Sequence, residues 1–276
     1  MLRSFKMVDV FATEPFTGNP VAVIADAQDL TTEEMQRITR WLNLSETTFL
    51  LPPTNSRADY RVRIFTLARE LPFAGHPTLG TCHAWLEAGG QPKRGDVIVQ
   101  ECGAGLIEIR RVENELGFAA PALIRSGAPT EAEIARATEV LRIERSQIID
   151  AQWADNGPGW LVIMLASAAE VLAAAPLRHY PERIDIGLVG PYPEGSEAAF
   201  ELRAIFSGAH GELIEDPVTG SLNASVGQWL FEAGHARGEY SARQGTVLGR
   251  SGRIRVSEDE NGRVWVAGRT ETLFGS

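Results

Sequence analysis

The chain has 276 residues, 44% of them hydrophobic and 22% charged, enough for two domains with sizeable cores and too well mixed for disorder. A net charge of −10, with no Lys/Arg cluster interleaved with aromatics, argues against a nucleic-acid partner. Two cysteines without CxxC spacing and five histidines without HExxH give neither a disulfide framework nor a zinc site.

Residues 1–12 include Asp9 and lack an apolar run, so they do not read as a signal peptide. A strand is expected at 21–24. Thr31 and Glu34 then form a capping box ahead of Met35, Ile38 and Leu42 at helical spacing. Glu46 follows that helix; taken alone it is an ordinary exposed glutamate. Strands are expected at 48–51 and 60–65. In Gly75-His76-Pro77, proline suits the first helical position, which makes His76 the N-cap. Strands at 97–100 and 106–110 follow. The Pro, Gly and Ser content of 121–129 suggests a domain boundary.

The second half opens with another capping box, Thr130 and Glu133, ahead of Ile134, Ala137 and Leu141. The most apolar stretch, 160–177, is interrupted by Glu170. It reads as a strand at 161–165 and a short helix capped by Ser167 and ended at Pro176, not as a membrane span. A cytoplasmic protein is the simplest expectation. Pro and Gly at 187–195 suggest a surface loop. Strands are expected at 199–205, 246–248, 253–256 and 264–267. Between the first two of these, Asp216 precedes Pro217, in an extended or turn conformation. Ser221, after Gly220, is a favoured N-cap.

The chain repeats itself. Residues 70–89 laid over 215–234 match at Glu70/Glu215, Pro72/Pro217, Gly75/Gly220, Glu87/Glu232, Ala88/Ala233 and Gly89/Gly234. Further on, 105–109 lies over 252–256. Earlier, 31–44 resembles 130–143, which sets Glu46 against Arg145. Three blocks in one order suggest two half-chains of one plan, each an α+β domain. Each contributes a glycine turn, Gly75-His76 and Gly220-Ser221, at a helix N-terminus. Such a turn can grip an anion through unpaired N–H groups, although most helix starts bind nothing.

The segments Phe16-Thr-Gly-Asn-Pro20, Ser45-Glu46-Thr47, Glu70-Leu-Pro-Phe-Ala-Gly-His-Pro77, Glu215-Asp-Pro-Val-Thr-Gly-Ser221, Gln244-Gly245 and Gly249-Arg250 carry a family likeness. Together they resemble the PhzF-like phenazine biosynthesis isomerase family over nearly the whole chain. Leu67 departs from the proline common in that family, and 203–215 fits its pattern loosely. The resemblance implies a diaminopimelate epimerase-like α+β fold. This has two pseudo-symmetric domains, each a curved, barrel-like mixed sheet around a central helix, with the active site between them. We place the domains at 1–122 and 123–264, with a C-terminal strand, about 265–276, returning to the first. The resemblance also implies a homodimer.

By the same resemblance Glu46 is the proton shuttle, and His76, Asp216 and Ser221 line the substrate site with Gly75 and Gly220. The expected chemistry is a proton shift in a small carboxylate-bearing molecule, with no metal, nucleotide or redox cofactor. A racemase using two thiols would need cysteines beside the glycine turns, where Ala74, His76, Thr219 and Ser221 stand. A thiol-independent epimerase of the same fold, or a binding protein that has lost the chemistry, remains the alternative.

Overall fold

The computed structural model describes residues 3–208 and 210–275. The chain divides into two compact units. The first comprises residues up to Ala119 together with those from Ala267 onward, and the second is Ala120–Val266.

The first unit begins with β1 (Phe5–Val10) and β2 (Asn19–Ile24), joined antiparallel. Helix α1 (Thr32–Leu42) carries the chain over to β3 (Glu46–Leu51), parallel to β2. The Thr31–Glu34 capping box forms, and Asn43 ends α1 in the left-handed conformation. The buried side of α1 sets Met35 on Ile24, Phe49 and Phe65, as the apolar spacing requires. Next come β4 (Tyr60–Thr66), the short β5 (Glu70–Leu71) and α2 (Gly75–Glu87). Then β6 (Val97–Cys102) pairs parallel with β4, and β7 (Gly105–Val112) and β8 (Glu115–Ala119) complete a meander. Nine of the thirteen residues of α2 are buried, so this helix has no solvent stripe; it is the core element around which the sheet curves. Gly80 makes that possible, because a Cβ there would lie 2.3 Å from Val21 Cγ1.

The second unit starts with β9 (Arg125–Gly127) and α3 (Glu131–Leu141), whose capping box also forms. It continues through β10 (Ile148–Asp155), β11 (Trp160–Leu165), α4 (Ala168–Ala173), β12 (Asp185–Pro191), β13 (Phe200–Ser207) and β14 (Leu213–Asp216). Helix α5 (Gly220–Glu232) is buried at ten of thirteen residues, and β15 (Glu239–Gln244), β16 (Gly252–Glu258) and β17 (Val264–Gly268) follow. The last strand, β18 (Thr270–Gly275), belongs to the first unit and runs antiparallel to β1. Thr270 reaches His83 of α2, while Lys6 and Thr272 both bond Glu87 of the same helix.

Both units use one pairing scheme. In the first, β1–β2 is antiparallel, β2–β3 parallel, β3–β4 and β4–β5 antiparallel, β4–β6 parallel and β6–β7 antiparallel. In the second, β10–β11, β11–β12, β12–β13, β13–β14, β13–β15 and β15–β16 repeat that series. Cys102 pairs with Gly105 as Gln244 pairs with Gly252, so the matched blocks 105–109 and 252–256 are equivalent.

The other early match is not. Helix α1 makes the crossover between β2 and β3, whose counterpart is α4, between β11 and β12. Helix α3 instead precedes β10. The likeness of 31–44 to 130–143 reflects two capped amphipathic helices with the same local needs, not two halves of a repeat.

Two further expectations are corrected. Residues 187–191 belong to strand β12, where Gly187 lies against Leu222 of α5, so only the later part of 187–195 is a turn. Residues 246–248 form a 3-10 turn between Gly245 and Gly249, both at positive φ, rather than a strand. Among the described residues no helix is long and apolar enough to cross a membrane.

Candidate active site

In the first unit, three chain segments converge on His76. The ring is 3% exposed in the first turn of α2. Glu46 opens β3, and its Oε2 lies 3.5 Å from His76 Nε2. Asn19 opens β2, and its Nδ2 lies 3.2 Å from His76 Nδ1. His76 Nε2 and Glu46 Oε2 are close but do not hydrogen-bond each other. Burial pushes His76 down to about 3, with a hydrogen bond to the Pro20 carbonyl opposing it weakly. The imidazole is therefore neutral at physiological pH, close to the carboxylate but not a cation beside it.

The depressed value has a consequence for stability. The unfolded histidine, near 6.5, takes up its proton well before the folded one. Its contribution to stability is complete above pH 6.5 and is lost as pH falls toward 3. Between pH 7 and pH 4 the loss is on the order of 3 kcal/mol. His76→Gln is expected to flatten that acid limb in urea unfolding. An unchanged difference between the two pH values would contradict the assignment.

In the second unit, the corresponding turn is built differently. Asp216, at the end of β14, is 8% exposed and accepts from Thr219 Oγ1 at 2.5 Å. Gln244 ties the turn together: its Nε2 donates to Asp216 O and Thr219 Oγ1, and its Oε1 accepts from Thr219 N and Asn223 Nδ2. Ser221 Oγ accepts from Trp160 Nε1 at 3.2 Å.

Both N-cap readings shift. The helices begin at Gly75 and Gly220, which makes Ala74 and Thr219 the N-caps and places His76 and Ser221 one turn-position inside. Pro77 is thus the third helical residue. Its missing N–H costs nothing there, since all first-turn N–H groups lack helical partners. Neither cap supplies a side-chain bond to the helix, because alanine cannot and Thr219 Oγ1 is engaged with Asp216 and Gln244. Both glycine turns therefore present first-turn amides without a capping side chain.

The counterpart of Glu46 also changes. Glu46 pairs with Thr66 and Glu70 with Phe65, while Asp185 pairs with Phe206 and Glu215 with Ile205. Since Glu70 and Glu215 are equivalent, Glu46 corresponds to Asp185. Arg145 lies in a short 3-10 turn after α3, paired with Glu131 on the surface. Both units carry a carboxylate at this point, and they differ in what holds it. Asp185 Oδ2 accepts from Arg183 Nε and Nη2, and its Oδ1 accepts from Ser207 N.

The thiols stand apart. Cys82 is fully buried on α2, and burial pushes it up to about 12; Cys102 is also raised by burial. Among the described residues no three His, Cys, Asp or Glu side chains are grouped to hold a metal ion. Reasoning from residues alone missed Asn19, Thr219 and Gln244. Asn19 and Gln244 stand in segments that carried the family likeness, but their bonds span 57 and 25 residues and leave no local signature.

A family model described as "Phenazine biosynthesis-like protein" matches residues 8–275. The "Antisense-enhancing sequence 1" protein of Schizosaccharomyces pombe is 36% identical over 99% of this chain and 97% of its own. The trans-2,3-dihydro-3-hydroxyanthranilate isomerase of Pseudomonas aeruginosa is 33% identical over 92% of this chain and 89% of its own. The crystal structure of a PhzF-family phenazine biosynthesis protein from Bacillus anthracis has the same fold, with a TM-score of 0.83. It is 23% identical and aligns over 100% of this chain and 99% of that one.

Proposed function

The chain belongs to the phenazine biosynthesis-like family, and from that premise we propose that it is an acid/base isomerase moving a proton within a small carboxylate-bearing molecule. The observation that carries the reading is the Glu46–His76–Asn19 arrangement. Glu46 takes a proton from a carbon made acidic by conjugation, the double bond shifts, and the same carboxyl returns the proton at another carbon. Neutral His76, held beside Asn19, orients the reacting group. In the second unit Ser221 and the amides after Gly220 bind the substrate carboxylate, and Asp216 orients the substrate or relays a proton. Side chains suffice for each step, so no metal or redox cofactor is invoked. Relatives named as isomerases support this reading. The proposal includes a homodimer in the cytoplasm, which light scattering and cell fractionation test.

The decisive experiment offers trans-2,3-dihydro-3-hydroxyanthranilate and a panel of unsaturated cyclic carboxylates in heavy water. Deuterium appearing in recovered substrate or isomerised product supports the proposal. Tight binding across the panel with neither exchange nor turnover points instead to a binding protein.

A further inference from the structure

The turn between β10 and β11 reads Asp155-Asn156-Gly157-Pro158-Gly159. Asp155 Oδ1 accepts from the amides of both Gly157 and Gly159, which fixes the turn. The fixed turn delivers two donors to one residue of α5. Asn156 Nδ2 bonds the Ser221 carbonyl at 2.9 Å, and Trp160 Nε1 bonds Ser221 Oγ at 3.2 Å. Asn156, Trp160 and Ser221 are all buried.

An indole N–H can only donate. It therefore occupies a lone pair of Ser221 Oγ and forces the hydroxyl proton to point elsewhere. Among the described residues that proton meets no acceptor, not even a carbonyl of the preceding helical turn. The first unit shows what the indole replaces. By strand register Trp160, paired with Asp185, corresponds to Val21, paired with Glu46. Ser221 corresponds to His76. In the first unit the small Val21 leaves carboxylate and imidazole within reach of each other. In the second, the carboxylate is turned to Arg183 and Ser207, and an indole engages the hydroxyl instead.

We infer that Trp160 and Asn156 are positioning residues that aim the Ser221 hydroxyl as a donor to one oxygen of the substrate carboxylate. This rests on the proposed carboxylate-binding role of Ser221. Binding is measured in a Glu46→Gln background, so that affinity is read without turnover, with trans-2,3-dihydro-3-hydroxyanthranilate and the cyclic carboxylate panel as probes.

Adding Trp160→Phe, which keeps a ring and removes the N–H, is expected to raise Kd about 3- to 10-fold. Adding Ser221→Ala is expected to raise it further, and Trp160→Phe should then have no additional effect. Analogues of the probes that lack the carboxylate should bind all these variants alike. In the otherwise native enzyme, Trp160→Phe should raise KM and leave kcat within about twofold. Indole 15N–1H spectra serve as a control for geometry, with the Trp160 signal moving in Ser221→Ala.

Additive losses from Trp160→Phe and Ser221→Ala overturn the inference. So does a fall in kcat at constant KM, or failure of every carboxylate to bind Glu46→Gln. Binding with the expected coupling but no turnover by the native enzyme would sink the isomerase reading and leave the positioning role standing.

Discussion

Replacing Glu46 by glutamine is expected to lower kcat by about 10^2- to 10^4-fold, the usual worth of a positioned general acid/base. Glutamine keeps the shape and its place beside His76, so KM should change little. The carboxylate alone accepts a proton from carbon. The comparison that gives this meaning is Asp185→Asn, the same strand position in the second unit. There the carboxylate is committed to Arg183 and Ser207, so the change should alter stability modestly and kcat little. Steady-state kinetics and deuterium exchange on both variants decide the matter. Activity of Glu46→Gln within tenfold of the native enzyme would remove Glu46 from the chemistry.

The second large effect is on folding. Each unit carries a bidentate ion pair at an equivalent place. Arg63 Nε and Nη2 bond Glu70, and Arg203 Nε and Nη2 bond Glu215. The chemistry is the same and the surroundings are not. Side-chain exposures are 19% and 38% for the first pair but 3% and 11% for the second. Arg203 also donates to the carbonyls of Val171 and Ala174 at the end of α4. Arg203→Met therefore leaves a buried carboxylate and two carbonyls without their donor, at an expected cost of about 3–5 kcal/mol. Arg63→Met should cost about 1 kcal/mol or less, because water replaces what is lost. The double change Arg203→Met, Glu215→Leu should recover much of the loss. Urea midpoints measure all three variants, and equal costs for the two arginines would refute the argument from burial.

That duplicated pair explains part of what the sequence displayed. Glu70 and Glu215 matched between halves because each closes an ion pair across the strands beside its glycine turn. The block containing them survives in the structure because long-range register holds it. The capping boxes at Thr31 and Thr130 were also legible, as was the N-cap at Ser167, where only the serine half of the expected box forms, since an N-cap and the residue three places on bond locally. The same locality misled the alignment of α1 with α3, and with it the pairing of Glu46 with Arg145. Helix caps carry no information about which strand comes next. The 187–195 segment failed for a related reason: Gly187 is there to admit Leu222, not to turn the chain. Asn156 and Trp160 could not be read at all, because their roles depend on a helix some sixty residues later.

The pairing of β18 with β1 sets an order of events during synthesis. The second unit is one continuous stretch and can close as soon as it has emerged. The first cannot complete its sheet until Thr270–Gly275 reaches Phe5–Val10, after everything between has been translated. At roughly 5–20 residues per second, the interval from Ala119 to β18 lasts on the order of ten seconds or more. Throughout it, β1 has an open edge facing a crowded cell, and α2 lacks the Thr270 and Thr272 contacts that β18 brings to His83 and Glu87. The nascent chain is thus most exposed to misassociation in the part that was made first.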